Sequence, residues 1–201
     1  MHRRSIVHLK RADAALARVI ERVGPCRFEP RAKGTHFDAL LRSIVYQQLS
    51  GKAASTILDR VLDLYGGRYP RPAQLLETRD EDLRTAGLSR QKLAYLRDLA
   101  ARVDTGDVPL ARVRRLSDEE IITHLTRVKG IGRWTAQMFL MFRLGRPDVL
   151  PELDLGIQTA IQRAYSLPKR PAPADVLRIG TSWRPHATIA SWYLWRSLES
   201  G

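Results

Sequence analysis

Cysteine is nearly absent from this sequence of 201 residues, and its scarcity limits the available chemistry. The single cysteine, Cys26, excludes an internal disulfide framework and a four-thiolate iron–sulfur cluster. The five histidines lie far apart and lack the spacing of a helical zinc site, so we expect no metal bound by side chains.

Long apolar runs are also missing. No stretch approaches the roughly 20 residues that a membrane-spanning helix needs, so we expect no membrane partner. The first eight residues, MHRRSIVH, carry charge but no apolar core and do not look like a secretory signal. We therefore expect an intracellular protein, located in the cytoplasm or nucleoid if the source is bacterial. Because no feature demands a partner surface, we also expect a monomer.

Positive charge is abundant. The sequence has 34 Lys and Arg residues against 21 Asp and Glu residues, which gives a net charge of +13. These residues are spread along the chain, a pattern that favours a folded basic surface over a basic tail. Basic surfaces gain affinity for phosphates by releasing counterions, so the charge favours a nucleic-acid partner. The alternative is that the positive charge only keeps the protein surface hydrated and binds no partner.

Apolar residues recur at helical spacing almost throughout, and no segment alternates as a strand would. The sequence therefore predicts an all-α fold of about ten helices. One N-terminal helix is expected to carry Leu9, Leu16 and Ile20 on one face. Four further helix starts are predicted after the capping residues Thr35, Ser50, Ser89 and Ser117.

The most informative segment is 126–136, where Gly-Ile-Gly separates two predicted helices. Glycines permit a tight hairpin, and the N–H groups that open the second helix suit a phosphate oxygen. Such a turn alone is equally typical of an ordinary helical joint. The candidate contacts to a DNA backbone are Lys129, Gly130, Gly132, Arg133 and Thr135. The carbonyls of Val128 and Ile131 are candidate ligands for a structural monovalent cation.

Four ordered blocks of the sequence resemble the helix-hairpin-helix (HhH-GPD) DNA glycosylase superfamily. The closest resemblance is to the compact form of its AlkA-like 3-methyladenine DNA glycosylases. The blocks are residues 37–66, residues 87–96, the hairpin with Asp154, and residues 183–196. The resemblance implies two helical subdomains with the active-site cleft between them. Their expected bounds are 36–143, ending in the hairpin, and 1–35 plus 144–201.

The resemblance also implies the activity of a monofunctional glycosylase, which flips 3-methyladenine, 7-methylguanine and similar bases out of duplex DNA. The enzyme excises them by hydrolysis in base excision repair and leaves an abasic site. Double-stranded DNA with alkylated bases is then the partner, and no organic cofactor is expected.

Asp154 has the catalytic role in this resemblance. A carboxylate beside the sugar stabilises the positive charge that develops as the glycosidic bond breaks, and it can orient the attacking water. Asp154 can also cap the helix that begins at Leu155, which is the alternative role. Glu152 is the fallback carboxylate, and we expect it to be exposed.

Trp134 stands where lyase-competent members carry the lysine that attacks C1′. We therefore expect no Schiff base and no lyase activity, because the adjacent Arg133 guanidinium cannot replace the amine. The resemblance implies that Trp134 lines the base pocket, with packing in the core as the alternative.

Trp195 also falls on a pocket position of the family, and Tyr46, which directly precedes Gln47 and Gln48, is a third candidate for the pocket wall. Electron-rich rings attract a cationic base with about 0.5–2 kcal/mol. Core packing is the alternative for both residues. Gln48 falls where the family inserts a side chain into the gap that a flipped base leaves, and Gln47 is the second candidate for this plug.

Two other classes of function stay open at this stage. A non-catalytic helix-hairpin-helix DNA-binding module would explain the charge and the glycines, but it leaves Asp154 and the tryptophans unexplained. A glycosylase for uracil or mispaired adenine is the second alternative. A third alternative, excision of oxidised guanine, is weakened because position 134 lacks the lysine of the lyase-competent members.

Overall fold

The computed structural model describes residues 2–30 and 33–199, which form helices, turns and loops but no strand. The all-α prediction is confirmed. The described residues contain α1 (Arg3–Ala12), α2 (Ala14–Val23), α3 (His36–Tyr46), α4 (Gly51–Asp63), α5 (Pro72–Glu77), α6 (Asp80–Thr85), α7 (Arg90–Asp104), α8 (Asp118–Thr126), α9 (Arg133–Phe139), α10 (Leu155–Ala164), α11 (Pro173–Ile179) and α12 (Ala187–Glu199). A 3-10 segment spans Leu110–Arg115, and a π-helical segment, Leu140–Leu144, continues α9.

The chain divides into two compact units. We call residues 32–139 the central unit, and residues 1–31 with 140–201 the terminal unit. The bounds predicted from the sequence, 36–143 and 1–35 plus 144–201, lie four residues later at each boundary. Within the described ranges, every helix is too short or too polar to cross a lipid bilayer.

Helix α7 contacts α3, α5 and α6 in the central unit, and α8 contacts α9. The predicted caps are confirmed there, because Thr35, Ser50, Ser89 and Ser117 each accept a backbone N–H in the first turn of the following helix. Each cap satisfies an N–H group for which the helix itself has no acceptor. The buried apolar residues of this unit include Leu40, Leu41, Ile44, Val61, Leu75, Leu83, Leu96, Leu99 and Ile121.

The terminal unit has a core built from both of its chain segments. Helix α12 contacts α2 and α10, and α1 contacts α2. The buried cluster includes Leu9, Leu16, Ile20, Ile157, Ile161, Trp183 and Tyr193.

The prediction of one N-terminal helix is wrong, since Asp13 divides it into α1 and α2. Asp13 has an extended backbone, and its side chain accepts a hydrogen bond from the N–H of Leu16 at 2.9 Å. The other carboxylate oxygen accepts the indole N–H of buried Trp183 at 2.8 Å and the hydroxyl of Tyr165. Burial and this carboxylate raise the pKa of Tyr165 far above its usual value. The break therefore lets one side chain cap a helix and bind two distant aromatic residues.

Candidate functional site

Asp154 lies at the start of α10 in the terminal unit and is half-buried. Its Oδ1 accepts the N–H of Ile157 at 2.8 Å, so the predicted capping role is confirmed. The same oxygen accepts the indole N–H of Trp195 at 2.9 Å. Two donors from different helices therefore fix the plane of this carboxylate.

Trp195 is half-buried in α12, with its polar edge on Asp154. Its ring stacks on Phe142, with centroids 6.0 Å apart and planes 27° from parallel. Sequence reasoning did not identify Phe142 as a site residue, because nothing in the sequence around it indicates a contact with Trp195. The indole is thus held by Phe142 on its face and by Asp154 at its edge.

Gly156 allows this approach of Trp195 to Asp154. A Cβ atom at position 156 would lie 3.0 Å from Asp154 Oδ1 and 3.2 Å from Trp195 Cδ1. Both distances are tighter than ordinary van der Waals contact, so the absence of a side chain at position 156 leaves room for the pair.

Glu152 was expected to be exposed, and this expectation is wrong because only 8% of the residue is accessible. The chain turns back on itself here, since the N–H of Glu152 donates to the carbonyl of Leu150 at 3.0 Å. The buried side-chain amide of Gln158 also donates to the Glu152 carbonyl at 3.0 Å. These two bonds hold the segment before Asp154 against the helix that Asp154 caps.

The Gly-Ile-Gly hairpin joins α8 to α9 in the central unit. Gly130 has φ +79°, which favours glycine, and a Cβ there would lie 2.1 Å from the Tyr95 ring. Gly132 has open space where a Cβ would be. Only the first glycine of the hairpin is therefore required by local geometry.

Asp98 binds the hairpin from α7. Its Oδ2 accepts the N–H of Lys129 at 2.8 Å and the Nε–H of Arg102 at 3.0 Å. The bond from the Lys129 N–H therefore fixes the hairpin backbone against α7. Neither Tyr95 nor Asp98 was predicted as a site residue, because nothing local to α7 indicates the hairpin.

Arg133 begins α9 and makes a two-point ion pair with Glu119, with N–O distances of 2.7 and 3.0 Å. The guanidinium holds the pKa of Glu119 below its usual range. Arg133 was predicted to contact a DNA phosphate, but two of its N–H groups donate to the Glu119 carboxylate instead. Thr135 is half-buried in the first turn of the same helix, and Lys129 is exposed.

The candidate cation ligands are backbone carbonyls in this hairpin. The Val128 carbonyl accepts the N–H of Ile131 at 3.1 Å, which uses one of its two lone pairs. The carbonyls of Val128 and Ile131 would hold the expected monovalent ion. Among residues 2–30 and 33–199, no cluster of three His, Cys, Asp or Glu side chains is arranged to bind a metal.

Trp134 is 44% exposed at the second position of α9, so the alternative of core packing is wrong. Tyr46 is half-buried at the end of α3. The guanidinium carbon of Arg42 lies 3.7 Å from the Tyr46 ring centroid, so a cation already covers one face of this ring. A cationic base has only the other face of Tyr46 to contact.

The two plug candidates differ in the structure. Gln48 is exposed and has φ +56°, which is unusual for a residue with a side chain. Gln47 is half-buried, and its side-chain amide donates to the carbonyl of Gly130 at 2.8 Å. This difference favours Gln48 as the side chain that enters DNA, and that role stays a prediction.

The predicted residues thus fall into two sets, one in each unit. The terminal unit brings together Asp154 and Trp195. The central unit joins Gln47 to the hairpin and also carries Tyr46, Gln48 and Trp134.

Comparisons with known proteins agree on one family. A family model described as "HhH-GPD superfamily base excision DNA repair protein" matches residues 41–185. DNA-3-methyladenine glycosylase 1 of Schizosaccharomyces pombe is 36% identical over 96% of this chain and 86% of its own length. YfjP of Bacillus subtilis is 35% identical over 81% of this chain, which covers 59% of YfjP. The solved structure of S. pombe 3-methyladenine DNA glycosylase Mag1 in complex with abasic DNA matches with a TM-score of 0.84 and 35% identity, covering 96% of this chain and 95% of that one.

Proposed function

This chain belongs to the HhH-GPD superfamily of base excision DNA repair proteins, and we propose that it is a monofunctional DNA glycosylase for alkylated purines. Its relatives named above as 3-methyladenine DNA glycosylases support this substrate class. The observation that carries the proposal is the carboxylate of Asp154, which Ile157 and Trp195 hold in one orientation.

The reaction needs little from the protein beyond this carboxylate, because an alkylated purine is already a cationic leaving group. The C1′–N bond breaks with its electron pair going to the base, which leaves as a neutral molecule. Positive charge then develops on the sugar, and Asp154 stabilises it electrostatically. A water molecule adds its oxygen to C1′ and gives up a proton, and the product is an abasic site.

The central unit binds DNA in this proposal. The hairpin N–H groups and the exposed Lys129 contact the phosphate backbone, and Gln48 fills the gap that the flipped base leaves. Trp134 presents an exposed indole to the cationic base. Trp195 orients Asp154 through its indole N–H.

Hydrolysis of this kind uses no organic cofactor, and the proposal includes none. Action as a monomer and an intracellular location are part of the same proposal. Light scattering of the purified protein tests the first of these.

The direct test is incubation with a duplex that carries one 7-methylguanine, followed by alkali. We expect base release and strand breaks only after alkali, and none on an undamaged duplex. Breaks without alkali would contradict the monofunctional reaction. Binding without base release from any alkylated or uracil-containing duplex would favour the non-catalytic module.

Asp154→Asn separates the charge of this residue from its structural role. Asparagine keeps an oxygen that accepts from Ile157 and Trp195, so we expect the fold to persist. Base release should fall about 100-fold or more, because the electrostatic stabiliser is gone. DNA affinity should be equal or higher, because one negative charge is removed. Single-turnover rates that stay above about a tenth of the original would contradict the catalytic role of Asp154.

A further inference from the structure

The plug loop, residues 47–50, connects α3 to α4. Gln48 holds a left-handed backbone within it, which is unfavourable for a residue with a Cβ. Such a conformation persists only where neighbouring contacts define it. On one side, Ser50 caps α4 by accepting the N–H of Ala53 at 3.3 Å. On the other, Lys92 of α7 donates to the carbonyl of Val45, at the end of α3, at 2.6 Å.

A third contact joins the plug loop to the hairpin. The Gln47 amide donates to the Gly130 carbonyl at 2.8 Å, across 83 positions of sequence. Gly130 itself cannot shift easily, because the Tyr95 ring occupies the space where a side chain would be and Asp98 holds the neighbouring N–H of Lys129. The hairpin end of this contact is therefore fixed on α7.

We propose that Gln47 is a positioning residue that ties the plug loop to the hairpin. The segment that contacts the phosphate backbone and the side chain that enters the duplex then move as one body. This inference rests on the proposed glycosylase function and adds to it a coupling between DNA binding and base flipping. Gln47 acts through Gln48 and does not itself enter the DNA.

The test is a double-mutant cycle on two duplexes. In one, 7-methylguanine faces cytosine; in the other, it faces a tetrahydrofuran abasic analogue, so no partner base has to be displaced or contacted. Gln47→Met keeps the length of the side chain and removes the amide donor. Gln47→Glu is a second variant that keeps polarity but also lacks that donor. Gln162→Met, at the far end of α10, is the control for the same substitution at a half-buried glutamine.

We expect Gln47→Met and Gln47→Glu to slow single-turnover base release about three- to tenfold on the paired duplex, the range for one hydrogen bond. On the abasic-analogue duplex the loss should be under twofold. In a Gln48→Ala background the Gln47 substitutions should have almost no further effect, because the side chain that Gln47 positions is no longer present. Gln162→Met should match the original protein on both duplexes.

Equal losses on both duplexes, or an undiminished loss in the Gln48→Ala background, would overturn the inference and leave Gln47 a structural residue. The proposed function would survive that result, because base release by the original protein is measured in the same assay. Absence of base release by the original protein on both duplexes would instead contradict the proposed function, and the inference would fall with it.

Discussion

Asp154 combines a structural role in the fold with the catalytic role that we propose for it. The oxygen that caps α10 also accepts the Trp195 indole, so the orientation of the carboxylate is built into the helix start. The capping part of this arrangement could be predicted, because Asp154 and Ile157 are three residues apart. The indole contact could not be derived from local pattern, since Trp195 lies 41 positions away.

Gly156→Ala tests whether that orientation matters. The added methyl group would press on Asp154 and Trp195, moving them by a few tenths of an ångström. We expect base release to fall about tenfold, because small displacements of reacting groups are costly. Thermal stability should change little, because alanine favours a helix over glycine by about 1 kcal/mol and offsets the crowding.

Gly51→Ala is the matched control, since Gly51 also lies in the first turn of a helix and a Cβ there meets nothing within 4 Å. Unchanged base release by Gly156→Ala would show that the Asp154–Trp195 contact tolerates displacement.

Because position 134 carries tryptophan and not lysine, we expect base release by hydrolysis without a covalent protein–DNA intermediate. An indole has no amine to attack C1′, so sodium borohydride should trap no protein–DNA adduct above background on a 7-methylguanine duplex. Trp134→Lys supplies the amine and should give weak trapping together with poorer base release, because one aromatic surface for the cationic base is lost. Robust trapping by the unmodified protein would mean that another amine reaches the sugar.

The hairpin is the element to which the proposed function assigns contacts with the DNA backbone, and its two glycines are not equivalent. Gly130→Ala would force a positive φ on alanine and drive its methyl group into the Tyr95 ring. We expect a loss of about 2–4 kcal/mol in the free energy of unfolding, measured in urea. Gly132→Ala has open space, so its unfolding free energy should stay within about 1 kcal/mol of the original. Equal losses in the two variants would contradict this asymmetry.

The starts and ends of helices are predictable where the capping partners are near neighbours in the sequence, and contacts between distant residues are not. Ser117, one of the predicted caps, forms a capping box with Glu120 at the start of α8, and both partners lie within one turn. The cap that Asp13 provides for Leu16 is local, so the break between α1 and α2 was open to prediction and was missed. The contacts of Asp13 with Tyr165 and Trp183, more than 150 positions away, have no local signal. In the same way, Asp98 and Tyr95 meet the hairpin only through the tertiary fold.

At the scale of the whole molecule, the net charge of +13 predicts steep salt dependence of DNA binding. If Z phosphates are contacted, log affinity should fall against log salt with a slope of about −0.9Z for duplex DNA. Fluorescence anisotropy with an undamaged duplex measures this slope. An affinity that stays nearly flat from low to moderate salt would mean that the charge is incidental to binding.

The division into a continuous central unit and a discontinuous terminal unit has a consequence for biosynthesis. Helices α1 and α2 leave the ribosome about a hundred residues before the segment from residue 140 onward that completes their core. At ordinary rates of translation this interval is on the order of 5–20 seconds. During it the apolar residues Leu9, Leu16 and Ile20 lack most of their core partners, because the chain being made is the central unit. The nascent chain therefore passes through a period in which a chaperone that binds exposed apolar helices would protect it.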